Sequence, residues 1–211
     1  MKKMKFKAIE LRCLDEHTIR NIREWRNQEF IKEQMFTQNE IGEEEHQAWI
    51  EAMRADDNRH LFVFYLDDAP FAVMQSRYYP QYGYAEIGDY LISEDYQAMG
   101  YGTFIKFFCA KIMYDHLGYA RTYGEILDTN SKNLRTEKKI FGNLRKSQKQ
   151  KTVDGITHDV YIIEGNRDLW EREQRNKLEP VVYRFVEDKY EVVMYKKEKE
   201  TTCQVARNCI K

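Results

Sequence analysis

Gly88-Asp89-Tyr90-Leu91-Ile92-Ser93-Glu94-Asp95-Tyr96-Gln97-Ala98-Met99-Gly100-Tyr101-Gly102 is the stretch whose reading settles the fold. A strand runs into a short loop, and a glycine-containing turn then opens a helix from about Gly100 to Leu117. Tyr101, Phe104, Ile105, Phe108 and Ile112 line one face of that helix. At a helix start the first N–H groups have no internal partner, and the macrodipole places partial positive charge there. A pyrophosphate is a natural occupant of such a mouth. Gly100 and Gly102 carry no Cβ, so the backbone can approach the anion closely. The dinucleotide fingerprint needs a third glycine where Ile105 stands, and no Gly-Lys-Ser/Thr of a phosphate loop occurs. ATP and NAD are therefore poor candidates.

Outward from this turn the chain alternates. Residues 4–12 predict a strand ending in Leu11-Arg12. Asp15 is a candidate N-cap for a helix carrying Ile19, Ile22 and Trp25. A second amphipathic helix over 43–55 carries His46, Trp49, Ile50 and Met53 at helical spacing. Strands 61–66 and 71–79 flank an Asp67-Asp68 turn as a hairpin. Strand 84–92 leads into the central helix, which Gly118 stops. Strand 120–128, helix 131–141 and strand 157–164 follow. The pattern is mixed α/β, and the strand-helix-strand unit around Gly100 implies a right-handed parallel crossover. Beyond about Arg175, Val181–Val186 and Tyr190–Tyr195 around Glu187-Asp188-Lys189 predict an extra hairpin. The polar stretch Lys196–Lys211 predicts a frayed tail. The expected division is a domain over 4–175 and an extension over 176–211. Its hairpin either offers an edge for a homodimer or packs on the domain.

Composition narrows the class. The 34 Lys+Arg balance 35 Asp+Glu, so no global basic excess exists to hold a nucleic-acid backbone. No apolar run approaches the ~20 residues of a membrane span, and the basic start lacks the apolar run of a signal peptide. Cys13, Cys109, Cys203 and Cys209 form no CxxC pair, which fits a reduced, cytoplasmic protein. His116 and His158 have no metal-ligand spacing, so no metal site is expected.

Gln97-x-x-Gly100-x-Gly102, in its strand-loop-helix setting, resembles the Gln/Arg-x-x-Gly-x-Gly/Ala signature of GNAT acetyltransferases. Glu125 to Asn130, then Asn133, Leu134, Lys139 and Ile140, looks like that family's next strand and helix. Phe141-Gly142 reverses the usual Gly-Phe. Glu137 stands where a tyrosine often serves as acid for the departing thiolate. The resemblance covers roughly residues 4–170. It implies the GNAT fold: a twisted, mostly antiparallel sheet with strands 4 and 5 parallel and splayed. It also implies acetyl-CoA, with pyrophosphate on the amides of Ala98, Met99, Gly100, Tyr101, Gly102 and Thr103. Pantetheine would run along strand 84–92 against Tyr90, Leu91 and Ile92, with Gln97, Asn130 and Asn133 beside the cofactor.

Acetyl transfer to an amine needs a neutral nitrogen, hence a base, and a donor for the developing oxyanion. Glu86 and Glu125 are the carboxylates placed for this by the resemblance: some sugar-acetylating relatives carry a base at the first position, some protein-acetylating ones at the second. Each also reads as a solvated strand glutamate. The N–H near Leu91 or Ile92 is the expected oxyanion donor. Tyr90 and Tyr123 are candidate acids for the thiolate, or packing residues. A narrower resemblance lies upstream: Trp25-Arg26-Asn27, Met35-Phe36-Thr37 and Glu44-Glu45-His46-x-x-Trp49 are similar to the N-terminal helices of PseH-type transferases. Those act on the 4-amino group of a UDP-linked amino sugar on the pseudaminic acid pathway. RimJ/RimL-type protein N-terminal acetyltransferases share the start more loosely. Arg26, Asn27, Met35, Phe36, His46 and Trp49 would then meet the substrate, a nucleotide sugar needing an aromatic surface and cationic donors. Trp49 and His46 equally fit the apolar face of their helix. A coenzyme A-binding module without catalysis is the third reading, suggested by Glu137.

Overall fold

The computed structural model describes residues 2–153, 155–196 and 202–208. Its strands are β1 (Phe6–Glu10), β2 (Arg59–Leu66), β3 (Ala69–Tyr79), β4 (Tyr84–Leu91), β5 (Arg121–Leu127), β6 (Leu144–Val153), β7 (Ile156–Asn166), β8 (Tyr190–Lys196) and β9 (Thr202–Asn208). They form one sheet in the order β6-β7-β5-β4-β3-β2-β1-β8-β9. Only β4–β5 and β1–β8 are parallel; every other neighbouring pair runs antiparallel. The helices are α1 (Glu16–Arg26), α2 (Glu29–Lys32), α3 (Glu43–Ala55), α4 (Glu94–Ala98), α5 (Tyr101–Lys111), α6 (Ser131–Ile140), α7 (Arg167–Leu169) and α8 (Arg175–Val182). A wider π-type turn extends α5 through Ile112–His116, and another, Trp170–Gln174, joins α7 to α8. No helix of the described residues is long and apolar enough to cross a membrane.

The middle strands are apolar on both sides, because successive side chains point to opposite faces. Phe62 and Phe64 of β2 join Phe6, Phe107, Phe108 and Trp170 in the larger core beneath α5 and α8. Leu61 and Val63 of the same strand join Ile19, Ile22, Ile50 and Met53 in a second core beneath α1 and α3. Asp15 caps α1, its carboxylate accepting from the Thr18 N–H at 2.8 Å. Asp67 and Asp68, at φ 48° and 66°, make the two-residue turn that matches the twist of a hairpin.

Three expectations are corrected. Residues 175–182 are helical, so Val181–Val186 is not a strand. Leu178, Val182 and Val186 bury at four-residue intervals while Val181 is exposed, which is helical rather than strand spacing. Val186 makes one bridge to Met4, and the hairpin is instead β8–β9. The tail is likewise not simply frayed, since 202–208 is strand; 197–201 and 209–211 lie outside the described residues. The cysteines are not all reduced: Cys109 is a buried free thiol, but Cys13 is disulfide-bonded. Also unanticipated were the short helices α2 and α7, α4 in the expected loop, and the polar strand β6.

Candidate active site

The parallel crossover builds the site. β4 and β5 pair only at Ala85↔Thr122 and Glu86↔Tyr123, and then separate. On its other side β4 stays paired with β3 as far as Leu91. The Ile92 N–H donates to the Phe71 carbonyl at 3.1 Å, so the alternation of an antiparallel ladder turns the amides of Asp89 and Leu91 away from β3. They face the gap left by β5. The gap widens into a cleft of about 900 Å³ walled by β4, β5, the start of α5, α6 and the bulged strand β6.

At one end of the cleft Gly100 caps α5 in the left-handed conformation, φ +82°, and no side chain caps the helix. Thr103 N–H reaches back to the Gly100 carbonyl at 3.2 Å, leaving the mouth otherwise open to an anion. Thr136 of α6 is the nearest group to Gly102 on its side-chain side. Lys132 of α6 donates to Gln97 Oε1 at 2.8 Å, which ties α6 to the turn before α5 and sets a cation beside it. Asn130 caps α6, its side chain accepting from the Asn133 N–H at 3.2 Å. An uncapped helix start, a strand edge left without a partner and flanking cations suit a diphosphate on an extended arm, so the residues fit coenzyme A.

Towards the middle of the cleft Glu86 and Glu125 both line it, from neighbouring strands. Tyr79 OH donates to Glu86 Oε2 at 2.9 Å. Tyr123 OH donates to Glu125 Oε1, and Lys149 of β6 lies 3.7 Å from the same oxygen. Burial and that hydrogen bond to the carboxylate both hold the Tyr123 phenol in its neutral form. Tyr90 also lines the cleft; burial raises its phenol well above the ordinary tyrosine value, against a lesser pull from Arg26.

Beneath these lies a buried triad that no motif announced. Lys106 Nζ of α5 meets Asp89 Oδ1 of β4 at 2.7 Å and Glu137 Oε1 of α6 at 2.6 Å. All three residues line the cleft wall. Burial works against the ammonium, but Asp89 and Glu137 outweigh it and hold Lys106 protonated. Burial, partly opposed by Lys106, pushes the Glu137 carboxyl up, and its Oε2 is buried without a hydrogen-bond partner. The one signal in the sequence was a lysine inside the otherwise apolar run Phe104-Ile105-Lys106-Phe107-Phe108.

Of the residues expected at the substrate, the structure brings Met35 and Phe36 to the cleft. Asn27 instead clamps a loop, donating to the Ile41 carbonyl and accepting its N–H, both at 2.9 Å. His46 turns inward, Nε2 donating to the Ile19 carbonyl at 3.0 Å, and stacks on Trp49, which packs on the second core. Arg26 holds the Thr37 carbonyl at 2.7 Å and so supports the Met35–Thr37 segment from behind. Of the cofactor set, Leu91, Gln97, Gly102, Asn130 and Asn133 line the cleft. Tyr101 leans into the larger core and Met99 is exposed. Ile92 is not available: its N–H is taken by Phe71 and its carbonyl by Gln28 Nε2 at 2.9 Å. Among the described residues no group of His, Cys, Asp and Glu is placed to hold a metal ion.

The family model for the acetyltransferase (GNAT) family matches residues 19–142, more than half of the chain. A search of curated protein sequences gives no match. Several solved structures share the fold. Spermidine N-acetyltransferase from Vibrio cholerae, in complex with CoA and spermine, is similar at 13% identity and TM-score 0.68, over 81% of this chain and 99% of that one. Campylobacter jejuni N-acetyltransferase PseH is similar at 16% identity and TM-score 0.56, over 77% and 98%. Aminoglycoside acetyltransferase AAC(6')-Ib, in complex with coenzyme A, is similar at 15% identity and TM-score 0.59, over 81% and 99%. The splayed β4–β5 pair, the open mouth of α5 and the family match lead to one conclusion: this chain belongs to the GNAT family of acetyltransferases and is an enzyme that uses acetyl-CoA.

Proposed function

We propose that the enzyme acetylates the 4-amino group of a nucleotide-linked amino sugar, with residues 4–175 as the transferase domain and 176–211 as an extension of its sheet. The observation that carries this reading is the chemistry of the cleft lining beside Glu125. Met35 and Phe36 stand there with Lys149 and Lys151, and Lys151 Nζ lies 5.9 Å from the Phe36 ring centre. A flat apolar face beside two ammonium groups complements a base and its diphosphate. It opposes a polyamine, whose own cations would meet these lysines.

Acetyl-CoA supplies an activated thioester; the chain's residues do the rest. The mouth of α5 with Lys132 takes the diphosphate, and the cleft-facing amide of Leu91 is the oxyanion donor. Glu125, with Glu86 as the alternative, receives the proton that the acceptor ammonium must lose before its lone pair can react.

The test is a panel of amines offered with acetyl-CoA: UDP-4-amino sugars, peptides with free N-termini, and spermidine. Turnover of the nucleotide sugars is expected, and Lys149→Gln/Lys151→Gln should raise their KM about tenfold with kcat little changed. Turnover of peptides alone would replace this reading with a protein N-terminal acetyltransferase.

A further inference from the structure

The sheet face that carries the second core is covered at Val73 and bare two residues further on. Val73 is buried, whereas Gln75 on the same strand is exposed. β3 and β4 pair Gln75 with Gly88, and both residues line the cleft. Residues two apart on a strand share a face, so Glu86, Gly88 and Tyr90 lie with Gln75 on this open face, while Asp89 points the other way to meet Lys106. β4 and β5 last pair at Glu86↔Tyr123, which sets Gly88 level with Glu125 across the gap. Gly88 therefore forms a bare patch of backbone between the two candidate bases. A Cβ on it would lie 3.3 Å from Gln75 Nε2 and 3.6 Å from Gln75 Cγ, so the glutamine leans across that patch. Both carboxylates at its edges are pinned. Tyr79 OH holds Glu86 Oε2 at 2.9 Å and Tyr123 OH holds Glu125 Oε1, each bond taking one oxygen and leaving the other. Among the described residues nothing bonds the side-chain amide of Gln75.

A glutamine amide is uncharged, and it both donates and accepts. An ammonium only donates, and the carboxylates beside it are its stronger partners. A neutral hydroxyl or amide next to the amine would use both functions of the glutamine. We propose that Gln75 is a specificity-determining residue and that the bare patch at Gly88 seats the reacting end of the acceptor. The primary amine faces Glu125 and Glu86, and Gln75 holds a hydroxyl or acylamino group on the adjacent carbon. The acceptor class is then a vicinal amino alcohol or its acylated equivalent, as a sugar ring presents, in preference to a plain alkylamine. The missing Cβ lets the amine descend to the level of the backbone, beside the slot that β5 leaves along β4. This deepens the reading given above: it rests on an amine acceptor in this cleft, but not on a nucleotide at Met35 and Phe36.

The test is one of binding and needs no turnover. The probes are trans-2-aminocyclohexanol and cyclohexylamine, which share a ring and an ammonium and differ by one hydroxyl. Their Kd values are measured by ligand-observed NMR on the full chain saturated with coenzyme A, which has no acetyl group to transfer. The wild type should hold the amino alcohol about tenfold more tightly, the worth of one hydrogen bond in a half-open site. Gln75→Leu, or Gln75→Met if the first does not fold, should bring the two Kd values within about twofold of each other by weakening the amino alcohol. Gly88→Ala should weaken both probes, because the added methyl fills the seat, while the Kd of coenzyme A stays within about twofold of wild type. A merely structural role would not move the ratio between the probes. Equal Kd values in the wild type, a ratio that survives loss of the glutamine amide, or no binding of either probe overturns the proposal. The two readings fail separately. Discrimination lost with Gln75→Leu, in a protein that acetylates no nucleotide sugar, upholds the seat and discards the nucleotide. Turnover of nucleotide sugars with a ratio indifferent to Gln75 does the reverse.

Discussion

Gly100 sits at φ +82°, the left-handed region, with open space where a Cβ would go. The demand for glycine is therefore conformational and not steric. Gly100→Ala is expected to cost about 1–2 kcal/mol of stability, the penalty of placing an L-residue in that region. The larger consequence lies in the ligand. If the turn relaxes to relieve strain, the amides of α5 lose their aim, so coenzyme A affinity measured by calorimetry should fall more than the melting temperature suggests. Unchanged affinity would mean that the mouth does not grip the diphosphate. At this scale the sequence was most legible, since Gln97, Gly100 and Gly102 declare themselves by spacing. The triad was not: Asp89, Lys106 and Glu137 come from three different elements, 17 and 31 residues apart along the chain for Asp89–Lys106 and Lys106–Glu137. Nothing local marks them as one unit except a lysine out of place among aromatic residues.

Among elements, periodicity worked where a face is buried and failed where it is not. The apolar face of α5 and the hairpin of β2 and β3 could be read directly. Leu144–Val153 could not, because only its ends are apolar. Arg145, Lys146, Lys149 and Lys151 stand in solvent, and the strand exists through its ladder to β7. The run Val181–Val186 misled in the opposite sense: β-branched residues favour strands, but burial every fourth residue overrode that preference. His46 and Trp49 show the same ambiguity, having fallen to the core rather than to the cleft. The extension beyond residue 175 is also less separable than its composition implied. β8 pairs in parallel with β1, and Val192 is fully buried against the larger core together with Val182 and Tyr190. Val192→Asp should therefore lower stability by about 3 kcal/mol or more, as an unpaired buried charge does. Urea unfolding followed by circular dichroism would check this, and an unchanged midpoint would show β8 to be a detachable appendage.

For the molecule as a whole, stability should depend on pH through one buried and one half-buried imidazole. Burial lowers His46 below the ordinary 6.5, with a smaller contribution from Arg23. Burial lowers His116 from the same value, with Lys111 adding to it and Asp115 opposing. The unfolded chain then binds more protons than the native one below about 6.5, so stability rises with pH through that window and is lost as pH falls. Glu137 acts oppositely. Its carboxyl is raised by burial, so its contribution is present at low pH and is lost as pH climbs through its native titration. His46→Gln, which can still donate to the Ile19 carbonyl, should flatten the acid limb between about pH 7 and 5 in denaturation curves. An identical limb in the variant would assign the effect to other groups.

The parallel pairing of β1 with β8 has one more consequence, for biogenesis. β1 takes its inner neighbour, β2, from residues 59–66, but its outer neighbour only from residues 190–196. On a ribosome adding roughly 5–20 residues per second, that outer edge stays bare while the about 120 residues between β2 and β8 are made. A nascent chain holding an open strand edge for that interval is a natural client for a chaperone, and a synthesis interrupted before Tyr190 leaves a sticky, half-closed sheet.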